Sequence, residues 1–177
     1  MMGERVTTSV DYETRAQIEN FIAEEAALLD ARQIAEWLDL TTDDFTYKIP
    51  TTQTTDSVEK TPWNEEFLII DEDKLSIAKL WTPRYSGDLA KFAWGENPPQ
   101  RTRRFVSTIR IRPLDSQSYE VHANVLLSFT REAEPSILMP TGRRDVLRRV
   151  GDTLKLASRV VFIDQRVLTT GNLRLII

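Results

Sequence analysis

Apolar positions in the first forty residues recur at steps of three and four, which predicts two helices. Asp11 stands where an N-terminal cap of the first helix belongs, and Asp30 is a candidate cap for a second, shorter helix that ends near Thr41. The apolar stripe of the first helix consists of Ile18, Phe21, Ile22, Ala26 and Leu29. Because no real loop separates the two helices, a helical hairpin or a sharp bend is expected.

Alternation then replaces the helical spacing. Residues 45–49 alternate and predict a short strand that Pro50 ends. The polar, threonine-rich residues 51–61 predict a mobile loop or lid. Residues 65–82 fit either a period-two strand or a helix capped by Asp73, and periodicity alone leaves both readings open.

The second half of the chain has the pattern of antiparallel strands. After a long connection over residues 83–101, residues 105–112 and 119–129 alternate strictly, and Gly151-Asp152 predicts a hairpin turn. The apolar positions predicted for the returning strand are Leu154, Leu156, Val160 and Phe162. Helices followed by long strands predict an α+β domain whose helices lie on one face of a curved sheet.

Composition narrows the class of protein. At 177 residues the chain is long enough for one domain, expected over residues 11–177 behind a flexible N-terminus over residues 1–10. It has no cysteine and one histidine, which excludes disulfides, zinc–cysteine sites and iron–sulfur ligation. The net charge of −4 argues against nucleic acid as a partner. Without a long apolar run or a signal-peptide core, a cytoplasmic protein with no membrane partner is expected.

Two groups of residues could carry acid–base chemistry. His122 is the natural general base, because histidine is the side-chain type that exchanges protons near neutral pH, and Glu120 lies two positions away on the same strand face. Asp43 and Asp44 with Tyr47 could form an acid–base cluster at the mouth of a pocket. The favoured alternatives are structural: a solvent-facing or hydrogen-bonded histidine, because spacing fixes no second titratable partner for it, and aspartates that cap a helix end and orient the following strand.

Arginine clusters point instead to protein contacts. Arg101, Arg103 and Arg104 follow Trp94, a pairing enriched at the centres of protein interfaces, although a solvated strand face is an equal alternative. The block GRRDVLRR (142–149) adds four more arginines with one carboxylate available for internal pairing. The apolar end LRLII (173–177) is expected to dock either in the core or on a partner subunit.

Several blocks of the chain, in order, resemble the small (beta) subunits of aromatic-ring-hydroxylating dioxygenases. The first half contributes EAALLD (25–30), EWL (36–38) and DDFTYKIP (43–50), followed by AWGENPPQRTRRFVS (93–107) with its tryptophan, acid, two prolines and Arg-x-Arg. The second half contributes GRRDVLRR (142–149) and IDQRVL (163–168), followed by Asn172-Leu173. The resemblance extends from about residue 12 to residue 177.

The resemblance implies a cystatin-like cone of the nuclear transport factor 2 type, with helices against a curved antiparallel sheet, and it favours a helix over residues 74–82. It implies a structural subunit of an oxidoreductase that dihydroxylates an aromatic compound in a degradation pathway. Three such chains would form a trimer beneath three large (alpha) subunits, making a hexamer. The large subunit would hold the Rieske [2Fe-2S] cluster and the mononuclear iron, and reductase or ferredoxin chains would act on it.

Under this interpretation the chain has no catalytic, cofactor-binding or metal-binding residue, and its functional residues are those of a subunit interface. The candidates are Trp94, Arg101, Arg103, Arg104, Arg148, Leu175 and Ile177. The alternatives are an autonomous cone-fold dehydratase or isomerase that uses Asp44, Tyr47 and His122, or a cone that binds a small ligand without chemistry.

Overall fold

The structure, a computed structural model, describes residues 10–85, 88–93, 98–168, 173 and 175–177. Its first helix, α1 (Tyr12–Asp30), begins as the sequence predicts. The Asp11 carboxylate accepts a hydrogen bond from the backbone N–H of Thr14 at 2.8 Å, which satisfies one of the free donors of the first turn.

The second helix, α2 (Ile34–Asp39), begins without the predicted cap. Its N-cap is Gln33, which makes no side-chain capping bond, and Arg32 turns the chain with a φ of 62°. The prediction that Asp30 caps α2 is therefore wrong. The Asp30 carboxylate binds Arg104 instead, because a buried guanidinium needs a charged partner more than an exposed helix end needs a cap.

In the part of the chain that the structure describes, six strands form one sheet in the order β2-β1-β6-β5-β4-β3, so β2 and β3 are its two edges. The strands are β1 (Thr41–Thr52), β2 (Trp63–Asp73), β3 (Arg101–Pro113), β4 (Ser118–Thr130), β5 (Ile137–Val150) and β6 (Thr153–Ile163). All neighbours pair antiparallel except β1 and β6, which pair parallel. Helix α1 contacts β3 and β6, which makes this the α+β cone expected from the resemblance.

β1 is longer than the sequence predicts, and Pro50 does not end it. The pairing of β1 with β2 shifts register on both sides of Pro50. Since proline cannot donate a ladder hydrogen bond, it is tolerated where a bulge interrupts the ladder. The polar loop that was predicted to begin at residue 51 begins after Thr52.

The two readings of residues 65–82 each apply to a part of the segment. The strand β2 runs through Asp73, whose carboxylate then accepts a hydrogen bond from Ser76 N–H at 2.7 Å and caps a helical stretch. This stretch comprises α3 (Lys74–Ser76), a π-helical turn (Ile77–Trp81) and α4 (Thr82–Tyr85). A 3₁₀ helix (Asp88–Lys91) follows. The helix that the resemblance favours over residues 74–82 is confirmed.

A bulge changes which residues of β6 face the core. Val146 lies opposite Ser158 and Leu147 lies opposite Leu156, so β6 has one extra residue between these pairs. Beyond the bulge the alternation inverts. Arg159, Val161 and Ile163 are buried, and the predicted apolar positions Val160 and Phe162 lie on the outer face, only partly buried. The turn before β6 is as predicted, with Gly151 at a φ of 60°.

The inner face of the sheet and the apolar sides of α1 and α2 enclose one core. Strand β4 supplies every second residue from Tyr119 to Phe129, and the helices supply Ile18, Ile22 and Trp37. Within the described ranges, no helix has both the length and the apolar character needed to span a membrane.

Candidate functional site

The interior of the cone is occupied by the last three residues of the chain. Leu175, Ile176 and Ile177 are 4%, 2% and 0% exposed. The Ile177 backbone N–H donates to the Tyr47 hydroxyl oxygen at 3.2 Å, and the Tyr47 hydroxyl donates to the Leu175 carbonyl at 3.4 Å. Of the two alternatives for this end of the chain, the structure shows docking in its own core.

Beneath these residues lies a buried ion-pair cluster formed by Glu25, Arg143, Asp145 and Arg159. The Arg159 guanidinium binds Asp145 through two parallel hydrogen bonds, Nε to Oδ1 at 2.8 Å and Nη2 to Oδ2 at 2.9 Å. Its Nη1 donates to Glu25 and, at 3.1 Å, to the main-chain oxygen of Ile177. A planar guanidinium is suited to this work because its donors match carboxylate geometry.

Arg143 completes the cluster from β5. Its Nε lies 3.0 Å from Asp145 Oδ2 and its Nη2 lies 3.3 Å from Glu25 Oε2. The Trp37 indole N–H donates to Glu25 at 3.0 Å. Two guanidinium groups thus face two carboxylates with almost no solvent contact, so the cluster is electrically balanced.

The environment of the cluster shifts the pKa values of Glu25 and Arg159. Burial alone would raise the pKa of Glu25, but the charges of Arg159 and Arg143, with hydrogen bonds from Arg159 and Trp37, hold that pKa at about 2. Burial would lower the pKa of Arg159, and the charges of Asp145 and Glu25 outweigh it and raise that pKa. Desolvation raises the pKa of Tyr47 to about 12. These groups do not exchange protons near neutral pH, which marks the cluster as structural.

A second buried ion pair, between Arg104 on the edge strand β3 and Asp30 on α1, also contacts residue 176. Arg104 donates from Nε to the Ile176 carbonyl at 3.1 Å and from Nη1 to Asp30. The other oxygen of Asp30 accepts the backbone N–H of Arg104 at 3.0 Å. Burial lowers the pKa of Arg104, and the charge of Asp30 acts against this effect.

Sequence reasoning missed the cluster, although two signals were present. Glu25 stands at the helical spacing of the apolar stripe, between Ile22 and Leu29, where Ala26 was expected to face the core. The composition of the block 142–149 predicts internal ion pairs but does not point to Arg159 as the partner of Asp145. The bulge in β6, which turns Arg159 inward, has no clear sequence signal.

The residues proposed for acid–base chemistry do not come together. Tyr47 is buried on the inner face, whereas His122 lies on the outer face, where its Nε2 is 3.0 Å from Glu120. Asp44 is exposed and bound by Arg148 at 3.0 Å. Hydrogen bonds from Thr42 and from Arg148 lower the pKa of Asp44. The sheet therefore separates the members of the predicted catalytic set.

The predicted interface residues fall into three groups. Arg101 and Arg103 are exposed on β3, and Arg148 is half-exposed near the end of β5. Arg104, Leu175 and Ile177 are buried within this chain. Trp94 lies outside the described residues.

The described residues, 10–85, 88–93, 98–168, 173 and 175–177, contain no evident metal site. No group of three or more histidine, cysteine, aspartate or glutamate side chains there could hold a metal ion. A Rieske cluster needs two cysteines and two histidines, and the full sequence has no cysteine and one histidine. The residues of this chain therefore do not fit that cofactor.

The fold and its filled interior define an α+β cone of the nuclear transport factor 2 type. A family described as ring hydroxylating beta subunit matches residues 24–170, and the chain belongs to this family. The chain is 28% identical over 170 residues to biphenyl 2,3-dioxygenase subunit beta of Rhodococcus jostii (strain RHA1), covering 93% of this chain and 89% of that one.

Two further similarities bear on function and fold. The N,N-dimethyl phenylurea N-demethylase subunit beta of Sphingobium sp. (strain YBL2) is 33% identical over 155 residues, covering 86% of this chain and 85% of that one. A chain in the structure of naphthalene 1,2-dioxygenase with indole bound in the active site superposes with a TM-score of 0.80 at 20% identity, covering 96% of this chain and 88% of that one. The relatives thus include a dioxygenase and a demethylase, so family membership leaves the reaction open.

Proposed function

We propose that this chain is the accessory, non-catalytic beta subunit of a multicomponent ring-hydroxylating oxygenase that acts on an aromatic compound. The observation that carries the proposal is the family match over residues 24–170 of a cone whose interior is occupied by the chain's own residues. Biphenyl and phenylurea, named for two relatives, both contain an aromatic ring. This supports an aromatic substrate without deciding between dihydroxylation and demethylation.

The partner in this proposal is a large alpha subunit that supplies the iron chemistry. Three copies of the chain associate as a trimer, three alpha subunits complete a hexamer, and a reductase or ferredoxin delivers electrons to the alpha subunits in the cytoplasm. The composition supports this division of labour, since the chain lacks the cysteines that a Rieske cluster requires. The work of this chain is then to hold the assembly together.

The exposed arginines are the proposed contact residues. The Arg103 side chain is 71% exposed and the Arg148 side chain 42% exposed, and Arg101 is also exposed. Arginine with neighbouring apolar surface is typical of interface centres. Arg104, Leu175 and Ile177 offer little surface, so their part is to stabilise the fold that presents the contact. Trp94 remains a predicted contact residue.

The experiment that tests the function is affinity purification of the tagged chain from its native cell. The tag belongs before residue 10, because residues 175–177 are buried. We expect a larger iron-containing chain in equal amount, identified by mass spectrometry and by iron content. A lone, iron-free chain in the eluate would overturn the accessory role and favour a cone-fold enzyme or binding protein.

Replacing Arg103 by glutamate is expected to weaken assembly. The change reverses the charge of an exposed edge-strand side chain, and like charges across an interface cost affinity. Native mass spectrometry of the purified assembly measures the result as a shift from the full complex to smaller species. The matched control is Arg15→Glu, an exposed arginine on α1. Unchanged assembly of the Arg103 variant would remove this residue from the interface.

Replacing His122 by alanine is expected to leave turnover of the assembled enzyme within about twofold of the original, as for most surface changes. His122 lies on the outer face of the sheet and contacts Glu120 rather than the interior. Steady-state turnover of the purified complex is the measurement. Activity of the chain alone that disappears in this variant would establish the rival reading, an autonomous enzyme.

A further inference from the structure

The two edge strands of the sheet have opposite charge. β2 contains five acidic residues and no basic one, and β3 contains five arginines and no acidic residue. The acids are Glu65, Glu66, Asp71, Glu72 and Asp73, and the arginines are Arg101, Arg103, Arg104, Arg110 and Arg112. Since β2 and β3 lie at opposite ends of the strand order, one margin of the sheet is acidic and the other is basic.

Most of these charges lie on the outer face, away from the core. Asp71 lies opposite Lys48, whose neighbours in β1 point into the core. Arg110 lies opposite His122 on β4, whose neighbours point inward in the same way. The pairings of both edge strands shift register, around Pro50 for β2 and between Ser107 and Arg110 for β3, so exposure rather than strict alternation defines one exposed row on each strand. The acidic strip is Glu65, Phe67, Ile69, Asp71 and Asp73, and the basic strip is Arg101, Arg103, Phe105, Arg110 and Arg112.

Each strip also has an apolar centre between its charges. Phe67 and Ile69 are 66% and 44% exposed in the middle of the acidic strip. Phe105 is 56% exposed in the basic strip, between Arg103 and Arg110. An apolar centre with a charged rim is the usual anatomy of a protein interface. The two strips are therefore complementary in charge and alike in arrangement.

The two edge strands favour contact between the acidic margin, β2, of one copy and the basic margin, β3, of another. An edge strand presents backbone N–H and C=O groups that can pair with another strand. Two acidic margins repel each other, as do two basic margins, so pairing of β2 with β2 or of β3 with β3 is disfavoured. Pairing of β2 with β3 of a second copy meets opposite charges and joins the apolar centres.

We propose that copies of this chain associate head to tail, with the acidic strip of one copy against the basic strip of the next. The inference rests on the self-association that the proposed function includes, and it adds which surfaces meet. Such a contact uses two different surfaces of each copy, so it forms a closed ring when the rotation between copies closes. Three identical contacts then build the proposed trimer, and the large subunits bind elsewhere.

The test uses two differently tagged copies of the chain, produced together in the native cell. Recovery of the second tag with the first measures self-association, whether the chain stands alone or within a larger complex. The acidic strip is reversed by Glu65→Lys with Asp71→Lys, and the basic strip by Arg103→Glu with Arg110→Glu. A charge reversal on α1, Glu24→Lys, is the control, and circular dichroism checks that each variant folds.

Either reversal alone is expected to lower recovery of the second tag about tenfold or more, since like charges then face each other at every contact. A chain that carries both reversals has its margins exchanged, and it is expected to recover self-association with its own kind. It should not form mixed rings with the original chain. This regain is the decisive result, because a folding defect or a loss of general solubility would not be repaired by two further substitutions.

Three results would overturn the inference. Unchanged recovery after either reversal means that the strips do not meet. Failure of the doubly reversed, folded chain to associate means that the strips contact something other than each other, and loss of the large chain alone would identify that partner. Absence of self-association in the original chain, with the large chain still bound, would reject the ring and leave the accessory role intact.

Discussion

Glu25→Gln is expected to lower the free energy of unfolding by about 3–5 kcal/mol. The substitution keeps the shape of the side chain and removes one of the two carboxylates that balance Arg143 and Arg159. Both guanidinium groups have no exposed side-chain surface, so the unbalanced charge cannot be hydrated. Urea denaturation followed by tryptophan fluorescence measures the loss.

The same variant should change the dependence of stability on pH. The pKa of Glu25 is about 2 in the folded chain against an ordinary value of 4.5. This depression contributes about 3 kcal/mol of stability above pH 4.5, and the contribution disappears as the pH falls from 4.5 towards 2. In the glutamine variant the loss of stability over this range should be smaller by a similar amount.

The matched control for this prediction is Glu24→Gln. Glu24 is the neighbouring residue on α1 and is exposed, so its replacement should change stability by less than about 0.5 kcal/mol. Equal stability of the two variants would mean that the buried cluster does not stabilise the fold. If Glu25→Gln does not fold at all, the acid-unfolding profile of the unmodified chain still tests the assignment, because it must steepen below pH 4.5.

Leu175→Ala is expected to destabilise the chain by about 2–5 kcal/mol. Leu175 is 4% exposed, and its carbonyl accepts the hydrogen bond from the Tyr47 hydroxyl. Truncation leaves a cavity in the interior of the cone. It also weakens the packing of residues 176–177, whose main-chain oxygens accept hydrogen bonds from Arg104 and Arg159. The midpoint of thermal or urea unfolding is the measurement.

Leu138→Ala is the control for the leucine variant, because Leu138 is 52% exposed on β5. It should shift the midpoint little, since most of its apolar surface is already in water. Similar midpoints for the two alanine variants would show that residues 175–177 are not part of the cooperative core. The comparison therefore tests the docking directly, with the same chemical change at both positions.

Local patterns predicted the elements whose residues act independently of distant partners. The Asp11 cap, the alternation of β4 and the turn at Gly151 all depend on residues a few positions apart, and each is confirmed. Pro50 failed as a strand end because a bulge, set by the pairing with β2, accommodates it. Periodicity also predicted helices followed by strands in one α+β domain, and the family resemblance added the cone fold and the helix over residues 74–82.

The interior of the cone could not be predicted in this way. Glu25 and Arg159 meet across 134 positions of sequence, and each taken alone looks like a surface residue. The bulge in β6 inverts the alternation just before Arg159, so period-two reasoning assigned the wrong face. Only the assembled sheet shows that these charges lie against one another rather than in water.

The parallel pairing of β1 with β6 has a consequence for the order of folding. Strands β3 to β6 follow one another as antiparallel neighbours and can form by successive short turns, as can the β1–β2 pair. The β1–β6 pairing places Tyr47 opposite Arg159, so it closes a loop of more than one hundred residues. Among the strand pairings it therefore has the largest entropic cost of loop closure. We expect this pairing to form after the two groups of antiparallel strands, and pulse-labelled amide exchange during refolding would show simultaneous protection of all six strands if this order is wrong.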